Sequence, residues 1–264
     1  MTTALFSVLV LGVLALLFGA VDALQRRGRL GPEAGRKTVH IGMGLVGLSL
    51  PWFFRTAGPV WFLAGLAAVF LGSIRLVPAV GRRLGNVLGG VDRASLGDMF
   101  YPMGVAAAFC LGEGKAAFCG AVATLAFGDT AGAMVGPRWG RLRYSLFGNH
   151  KSVEGSGAVL LTSAAWIAGL LLVLGHETLP AALAGALLVA TAAALIEAAS
   201  WLGLDNFLLP VAVAWLAGAW LDGRIAHRSA TTFAALAAAL LLCLSAGVLV
   251  AAVRLRSGAA PRAG

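Results

Sequence analysis

Charge is what this chain of 264 residues has least of. Asp, Glu, Lys and Arg together make up 12% of it, about half the ~25% of an ordinary soluble domain. That scarcity argues against a soluble enzyme, a disordered chain and a nucleic-acid-binding domain, and a net charge of +9 does not reverse it, because the cations sit mostly between apolar runs. Only three cysteines occur, Cys110, Cys119 and Cys243. None shares a CxxC spacing, so neither a disulfide framework nor a zinc site is indicated, and all three are expected as buried small hydrophobes. The alternating segments of about ten residues that mark a membrane β-barrel are also missing. The first residues, MTTALF, lack the basic n-region of a secretory signal, so the first apolar run is expected to be a retained helix.

What the chain has instead is apolar length. The AVILMFWYC set makes up 59% of it and mean hydropathy is +0.90, in long unbroken runs. This composition predicts an all-α, polytopic transmembrane bundle. It forms a single integral membrane domain over 1–264, with nine spans at 3–24, 39–54, 58–76, 99–112, 116–136, 157–175, 180–203, 207–221 and 230–253. The second and fourth are short for a crossing. Nine spans put Arg26, Arg27, Arg29, Arg36, Lys37, Arg75, Arg82, Arg83, Arg93, Arg138, Arg141, Arg143, Lys151, Arg254, Arg256 and Arg262 on one side. Only Arg55, Lys115, Arg224 and Arg228 fall on the other. The positive-inside rule makes the first side cytoplasmic, with the N-terminus outside and the C-terminus inside. No internal repeat is visible.

Polar side chains within such runs carry an insertion cost of roughly 2.5–3.5 kcal/mol for a central carboxylate, so each asks for a reason. Arg36, Lys37 and His40 stand at the start of the second span. Arg36 and His40 are four apart on one helix face, where two cations and an imidazole can hold an anion; the plain alternative is a positive-inside anchor. Asp129 is followed by Gly132, Gly136 and Gly140, a small-residue stripe that lets a neighbouring helix come close. Pro137 is expected to break that helix and leave Gly-rich backbone N–H groups for phosphate. Asp129 is placed to hold Mg²⁺, which takes one or two carboxylates plus substrate phosphates.

Lys151, Ser152, Glu154, Gly155 and Ser156 precede the sixth span. Lys151 is a point charge for phosphate and Glu154 a second metal candidate, although Ser-Val-Glu also reads as an ordinary helix start. Glu197 lies six residues inside a span end, with a salt bridge to a cation such as Arg75 as its plain explanation. Asp205 and Asn206 follow, Asp205 as a third metal candidate. Asp98 and Tyr101, ahead of Pro102, mark a weaker fifth segment. In the orientation set by charge, all of these fall on the cytoplasmic side. With Mg²⁺ supplied they make up the parts of a phosphoryl-transfer site: carboxylates for metal, cations for phosphate and a Gly-rich backbone.

These motifs resemble the CTP-dependent polyprenol kinase family, which includes the dolichol, phytol and farnesol kinases. R-K-x-x-H matches Arg36, Lys37 and His40. D-x-x-A-x-x-x-G-x-x-x-G matches Asp129, Gly132, Gly136 and Gly140, with Gly in place of the Ala. K-[ST]-x-E-G-[ST] matches Lys151, Ser152, Glu154, Gly155 and Ser156, and a late E…D-N element matches Glu197, Asp205 and Asn206. The ordered set covers about 36–210, the motif-bearing core. Where the dolichol kinases carry a lysine before K-[ST]-x-E-G, this chain offers Arg141 and Arg143, and its shorter length looks closer to the phytol kinase branch.

The resemblance implies a lipid kinase of the inner membrane with its site facing the cytoplasm. It would pass the γ-phosphoryl of CTP to an isoprenoid alcohol, with membrane lipids and a nucleotide as partners and no nucleic acid. In it Asp129, Glu154 and Asp205 would serve Mg²⁺. Arg36, Lys37, Gly132, Gly136, Gly140, Arg141, Arg143, Lys151, Ser152 and Asn206 would serve nucleotide and phosphate. Glu197 or His40 would orient or deprotonate the hydroxyl. A CTP-dependent diacylglycerol kinase, a phosphatidate cytidylyltransferase-like enzyme and, from another class, a small-solute or ion transporter stay open as alternatives. The sequence carries no sign of oligomeric state.

Overall fold

The apolar runs fold into helices whose lengths and ends follow local chemistry. The computed structural model describes residues 3–225 apart from 85–86, 88–95, 113, 147–148 and 201. Ten α-helices appear among the described residues: α1 Thr3–Arg26, α2 Pro32–Phe53, α3 Ala57–Leu76, α4 Pro78–Leu84, α5 Gly97–Leu111, α6 Lys115–Ala123, α7 Asp129–Trp139, α8 Val153–Val173, α9 Leu179–Ala199 and α10 Asp205–Leu221. Between α6 and α7 the rod runs unbroken through one π-helical turn, Thr124–Gly128. Pro32 opens α2 and Pro180 the first turn of α9, positions where a missing N–H costs nothing. Ser152 caps α8, its hydroxyl accepting from the Gly155 N–H at 3.1 Å, the ordinary helix start that Ser-Val-Glu suggested.

Eight of the nine expected spans fall in described residues and each is a helix; 230–253 lies outside them. Among the described residues five helices are long and apolar enough to cross a membrane: Thr3–Arg26, Ala57–Ile74, Lys115–Trp139, Val153–Val173 and Leu179–Ala199. Gly97–Leu111 and Asp205–Leu221 are apolar but shorter. Two details differ from expectation. The helix at 39–54 is not short: Pro32 starts α2 early and gives it 22 residues, with its charged residues inside the first turns. The chain is also not wholly α, because β1 Arg143–Leu146 pairs antiparallel with β2 Asn149–Ser152, Tyr144 opposite Lys151.

Small residues set the packing. A side chain at Gly44 would sit 2.3 Å from Ala126 Cβ, and one at Gly104 would sit 2.3 Å from the Asn206 carbonyl and 2.9 Å from Phe207 Cα. These close approaches bring α2 onto the π turn and α5 onto the start of α10. The main core joins Leu50, Tyr101, Val105, Phe118, Val122, Leu125, Ile167, Leu209 and Trp220. A second cluster of Phe18, Val21, Val39, Leu71, Ile74 and Val87 joins α1, α2 and α3. Cys119 is buried as expected. Cys110 is exposed and accepts a bond from Trp61 Nε1 at 3.1 Å, while Cys243 lies outside the described residues. At the opposite end of the bundle from Arg36 and Lys37, Lys115 stands 4.9 Å over the ring of Trp52.

Candidate functional site

Five chain segments meet at one end of the bundle around a cavity of about 620 Å³, a size within the roughly 300–1,000 Å³ of small-molecule sites. The start of α2 supplies Arg36 and Lys37, α7 supplies Asp129, Gly132 and Gly136, and the hairpin and the start of α8 supply Arg143, Lys151 and Ser152. The end of α9 supplies Glu197 and the start of α10 supplies Asp205 and Asn206. The five meet because each motif sits at the helix end its direction of travel brings there.

Asp129 is the centre of one charge cluster. Lys37 Nζ donates to its Oδ2 at 3.0 Å, and His40 Nε2 lies 3.4 Å from the same oxygen. His40 Nε2 also lies 2.9 Å from the Leu125 carbonyl, inside the π turn. That turn shifts the helical hydrogen-bond ladder by one residue, and the imidazole bonds one of its carbonyls. Both oxygens facing Nε2 are acceptors, so this nitrogen carries the proton. Behind it, Tyr101 packs edge-on against the imidazole at 4.7 Å and donates to the His40 carbonyl at 3.2 Å. Lys37 and His40 are both buried, 7% and 6% exposed. The face that acts is therefore Lys37 with His40, three apart, and not Arg36 with His40. Arg36, on the cavity wall, holds Glu33 at 2.6 Å. Burial works to lower the pKa of its guanidinium, yet the bond and charge of Glu33 carry it above its ordinary value.

A second cluster joins the hairpin to α9. Lys151 Nζ bonds both the Oε1 carboxylate oxygen and the backbone carbonyl of Glu197, so Lys151 is a cation on Glu197; the side chain of Arg75, the partner suggested by the sequence, lies outside what is described. Opposite Lys151 in the hairpin, Tyr144 Oη shares a 2.5 Å hydrogen bond with Ser156 Oγ. Burial pushes its phenol above the ordinary value, against the effect of that bond. Asp205 accepts from the N–H of Asn206 at 3.1 Å and holds no salt bridge among the described residues.

Two expectations are corrected here. Pro137 does not break the helix: α7 continues to Trp139, since the first residues before Pro137 already have their bonds and the ring only denies one to the Ala133 carbonyl. The glycines therefore do not form an open N–H cradle. They let α8 approach: a side chain at Gly132 would meet Val159 Cγ2 at 2.5 Å, and one at Gly140 would meet Ser152 Oγ at 2.5 Å. Glu154 is not among the cavity-lining groups. Its carboxylate accepts from the N–H groups of Arg141 at 2.9 Å and Leu142 at 3.2 Å, which ties the post-α7 loop to the start of α8. Gly140, Arg141 and His40 likewise stand outside the lining. Sequence reasoning missed Glu33, His150, Ser200 and Gly203, which line the cavity; all four lie within three residues of a motif position, the one signal that marks them.

Among the described residues no three His, Cys, Asp or Glu side chains come close enough to hold a metal by themselves. Lys37 and His40 both meet Asp129 on Oδ2, and neither contact uses Oδ1. Donors of this kind fit an ion that shares its shell with substrate oxygens and water, and do not fit one caged by protein alone.

No protein-family model matches the sequence, and no solved structure matches the fold. A curated phytol kinase of Synechocystis sp. is 34% identical over 221 residues, spanning 79% of this chain and 90% of the relative. Identity of that extent answers the transporter alternative: the chain belongs to the phytol kinase family of polyprenol kinases, and it is a membrane-helical phosphotransferase.

Proposed function

We propose that this kinase passes the γ-phosphoryl of CTP to the terminal hydroxyl of an isoprenoid alcohol of the phytol, farnesol or polyprenol type, at the cytoplasmic face of the cell membrane. The observation that carries the reading is one cavity lined by Lys37, Asp129, Lys151, Glu197 and Asp205, residues from five segments that have no packing reason to gather their charges. The sixteen-to-four distribution of cations supports the cytoplasmic assignment of that end.

Phosphoryl transfer asks a protein for positioning and charge neutralisation more than for covalent chemistry. Lys37, Lys151, Arg36 and Arg143 hold phosphate oxygens around the cavity. Asp129 and Asp205 would hold Mg²⁺, which would supply neutralisation of charge on the phosphates. Lys37 and His40 fix Asp129 in place, and Tyr101 fixes His40. Since His40 stands outside the cavity lining and Glu197 within it, Glu197 is the better acceptor for the hydroxyl proton. Gly132 and Gly136, lacking side chains, keep the α7 wall of the cavity low, while Asn206 and Ser152 add polar contacts at its rim.

The test is incubation of the purified protein with γ-labelled CTP, Mg²⁺ and a panel of phytol, farnesol, longer polyprenols and diacylglycerol. Label in an isoprenoid phosphate with release of CDP is the expected outcome. Label only in phosphatidate would move the acceptor to diacylglycerol, and release of pyrophosphate would make the enzyme a cytidylyltransferase.

A further inference from the structure

The two lysines of the cavity are not equivalent. Lys37 is bonded to Asp129 and its side chain is 9% exposed. His40, itself buried, shares the same carboxylate oxygen. That cluster is held by two residues on one face of α2 and closed from behind by Tyr101. Lys151 rises from the hairpin, its side chain is 19% exposed, and both of its bonds go to one residue, Glu197. An ammonium has three donors, so two are committed and one faces the cavity. Among the described residues Lys151 makes the salt bridge to the Glu197 carboxylate, and Lys37 acts on it only through its charge, without a bond. Glu197 is 7% exposed, so a carboxylate that loses its ammonium there is poorly compensated by water.

We infer that the donor nucleotide and Glu197 compete for Lys151, and that the arriving phosphate, by drawing Lys151 away, releases Glu197 as the base for the acceptor hydroxyl. This rests on the reading of Lys151 as a phosphate ligand. Before the donor binds, Glu197 is held as a salt-bridged anion with its oxygen occupied. Once phosphate oxygens take over the ammonium, the freed carboxylate has an oxygen open to the acceptor hydroxyl. The alcohol oxygen then forms its bond to the γ-phosphorus. The bond from that phosphorus to the β,γ-bridging oxygen breaks with its electron pair leaving on the nucleoside diphosphate, and the alcohol proton passes to a Glu197 carboxylate oxygen. The arrangement orders the reaction: without donor, no base is available.

The consequence is opposite to what loss of a merely structural residue gives. Glu197→Gln keeps an acceptor for Lys151 and leaves the backbone carbonyl contact untouched, but removes the competing charge. Full-length protein in detergent, with Mg²⁺ and without acceptor, is titrated with β,γ-methylene CTP. We expect Glu197→Gln to bind it roughly tenfold more tightly than wild type, the size of one close charge-pair coupling, while transfer from CTP is lost. Glu197→Asp, which draws the carboxylate back by one methylene, shifts affinity in the same direction by less. In a Lys151→Gln background, Glu197→Gln changes affinity by less than about twofold, because the competed-for cation is gone. Unchanged or weaker donor binding by both Glu197 variants overturns the competition, as does an equal gain in the Lys151→Gln background. Wild type that binds no nucleotide at all would instead overturn the proposed function, a separate outcome.

Discussion

Replacing Asp129 by Asn should lose both transfer and stability, and a second substitution should recover only the stability. Lys37 is bonded to Asp129 at 3.0 Å with both side chains largely out of solvent, 9% and 14% exposed. Asn keeps one acceptor but no charge, so Lys37 is left as a buried, uncompensated cation. Removing one partner of such a pair costs about 3–5 kcal/mol. The amide oxygen that remains places the expected value at the lower end, about 3 kcal/mol. For a domain of this size that is a fall of about 6–12 °C in Tm, read by tryptophan fluorescence on protein in detergent. Lys37→Met in the same chain removes the orphaned charge and fills its path with apolar volume, which is close to neutral for a replaced buried pair, so most of the Tm returns. Activity does not return, because the carboxylate that serves the phosphates is still missing. Transfer of labelled γ-phosphate should stay at least about 10²–10³-fold below wild type in both variants. An Asp129→Asn protein as stable as wild type would show that Lys37 is not carried by this carboxylate. Recovery of transfer in the double variant would remove Asp129 from the chemistry.

Lys151→Met should raise the KM for CTP by about tenfold or more, the value of a hydrogen bond to a charged group, with an unchanged KM in initial-rate measurements contradicting the phosphate contact. Gly104→Ala places a methyl within 2.3 Å of the Asn206 carbonyl and 2.9 Å of Phe207 Cα. Backbone must move, at a cost of about 1–3 kcal/mol, and the start of α10 with Asp205 moves with it, so both Tm and kcat should fall; a wild-type Tm would contradict that packing. Glu154→Gln weakens the hold on the Arg141 and Leu142 N–H groups, so proteolysis within 140–152 should speed up while the Mg²⁺ concentration for half-maximal rate stays the same. A large rise in that concentration would return Glu154 to the metal.

What the sequence disclosed best is what insertion into lipid penalises. Asp129, Glu197 and Lys37 were legible because a charge in an apolar run carries a cost with no local return, and the structure seats all three around one cavity. A helix start was legible where Ser marks it, at Ser152, whereas the start of α2 at Pro32 lies ahead of the span expected from 39. The partner of each charge was not legible, since Lys37–Asp129 spans 92 residues and Lys151–Glu197 spans 46, and periodicity within one helix says nothing about which helix lies opposite. Glu154 misled for a related reason: a carboxylate two residues into a helix looks the same in sequence whether it faces a ligand or caps a loop. The π turn was hidden as well. Nothing in TLAFG marks it, and it arises where Gly128 lets Ser163 of α8 come close while His40 bonds the Leu125 carbonyl.

The convergence of the five segments follows from parity more than from any single contact. α2, α8 and α10 carry their charged motifs at their starts, while the α6–α7 rod and α9 carry theirs in the half that ends at the cavity. In a bundle whose successive long elements run antiparallel, starts of one set and ends of the other coincide at one end of the molecule. One added or missing crossing between Lys37 and Asp129 would have sent Asp129 to the far end, where Lys115 and Trp52 meet. The connecting elements preserve that parity: α3 returns the chain to the site end, α5 leaves it and the α6–α7 rod comes back. The spacing of the motifs along the sequence, which looks irregular, is thus set by the number of crossings between them. The local devices, the π turn under His40 and the hairpin under Lys151, only adjust which way each side chain points once the helix ends have met.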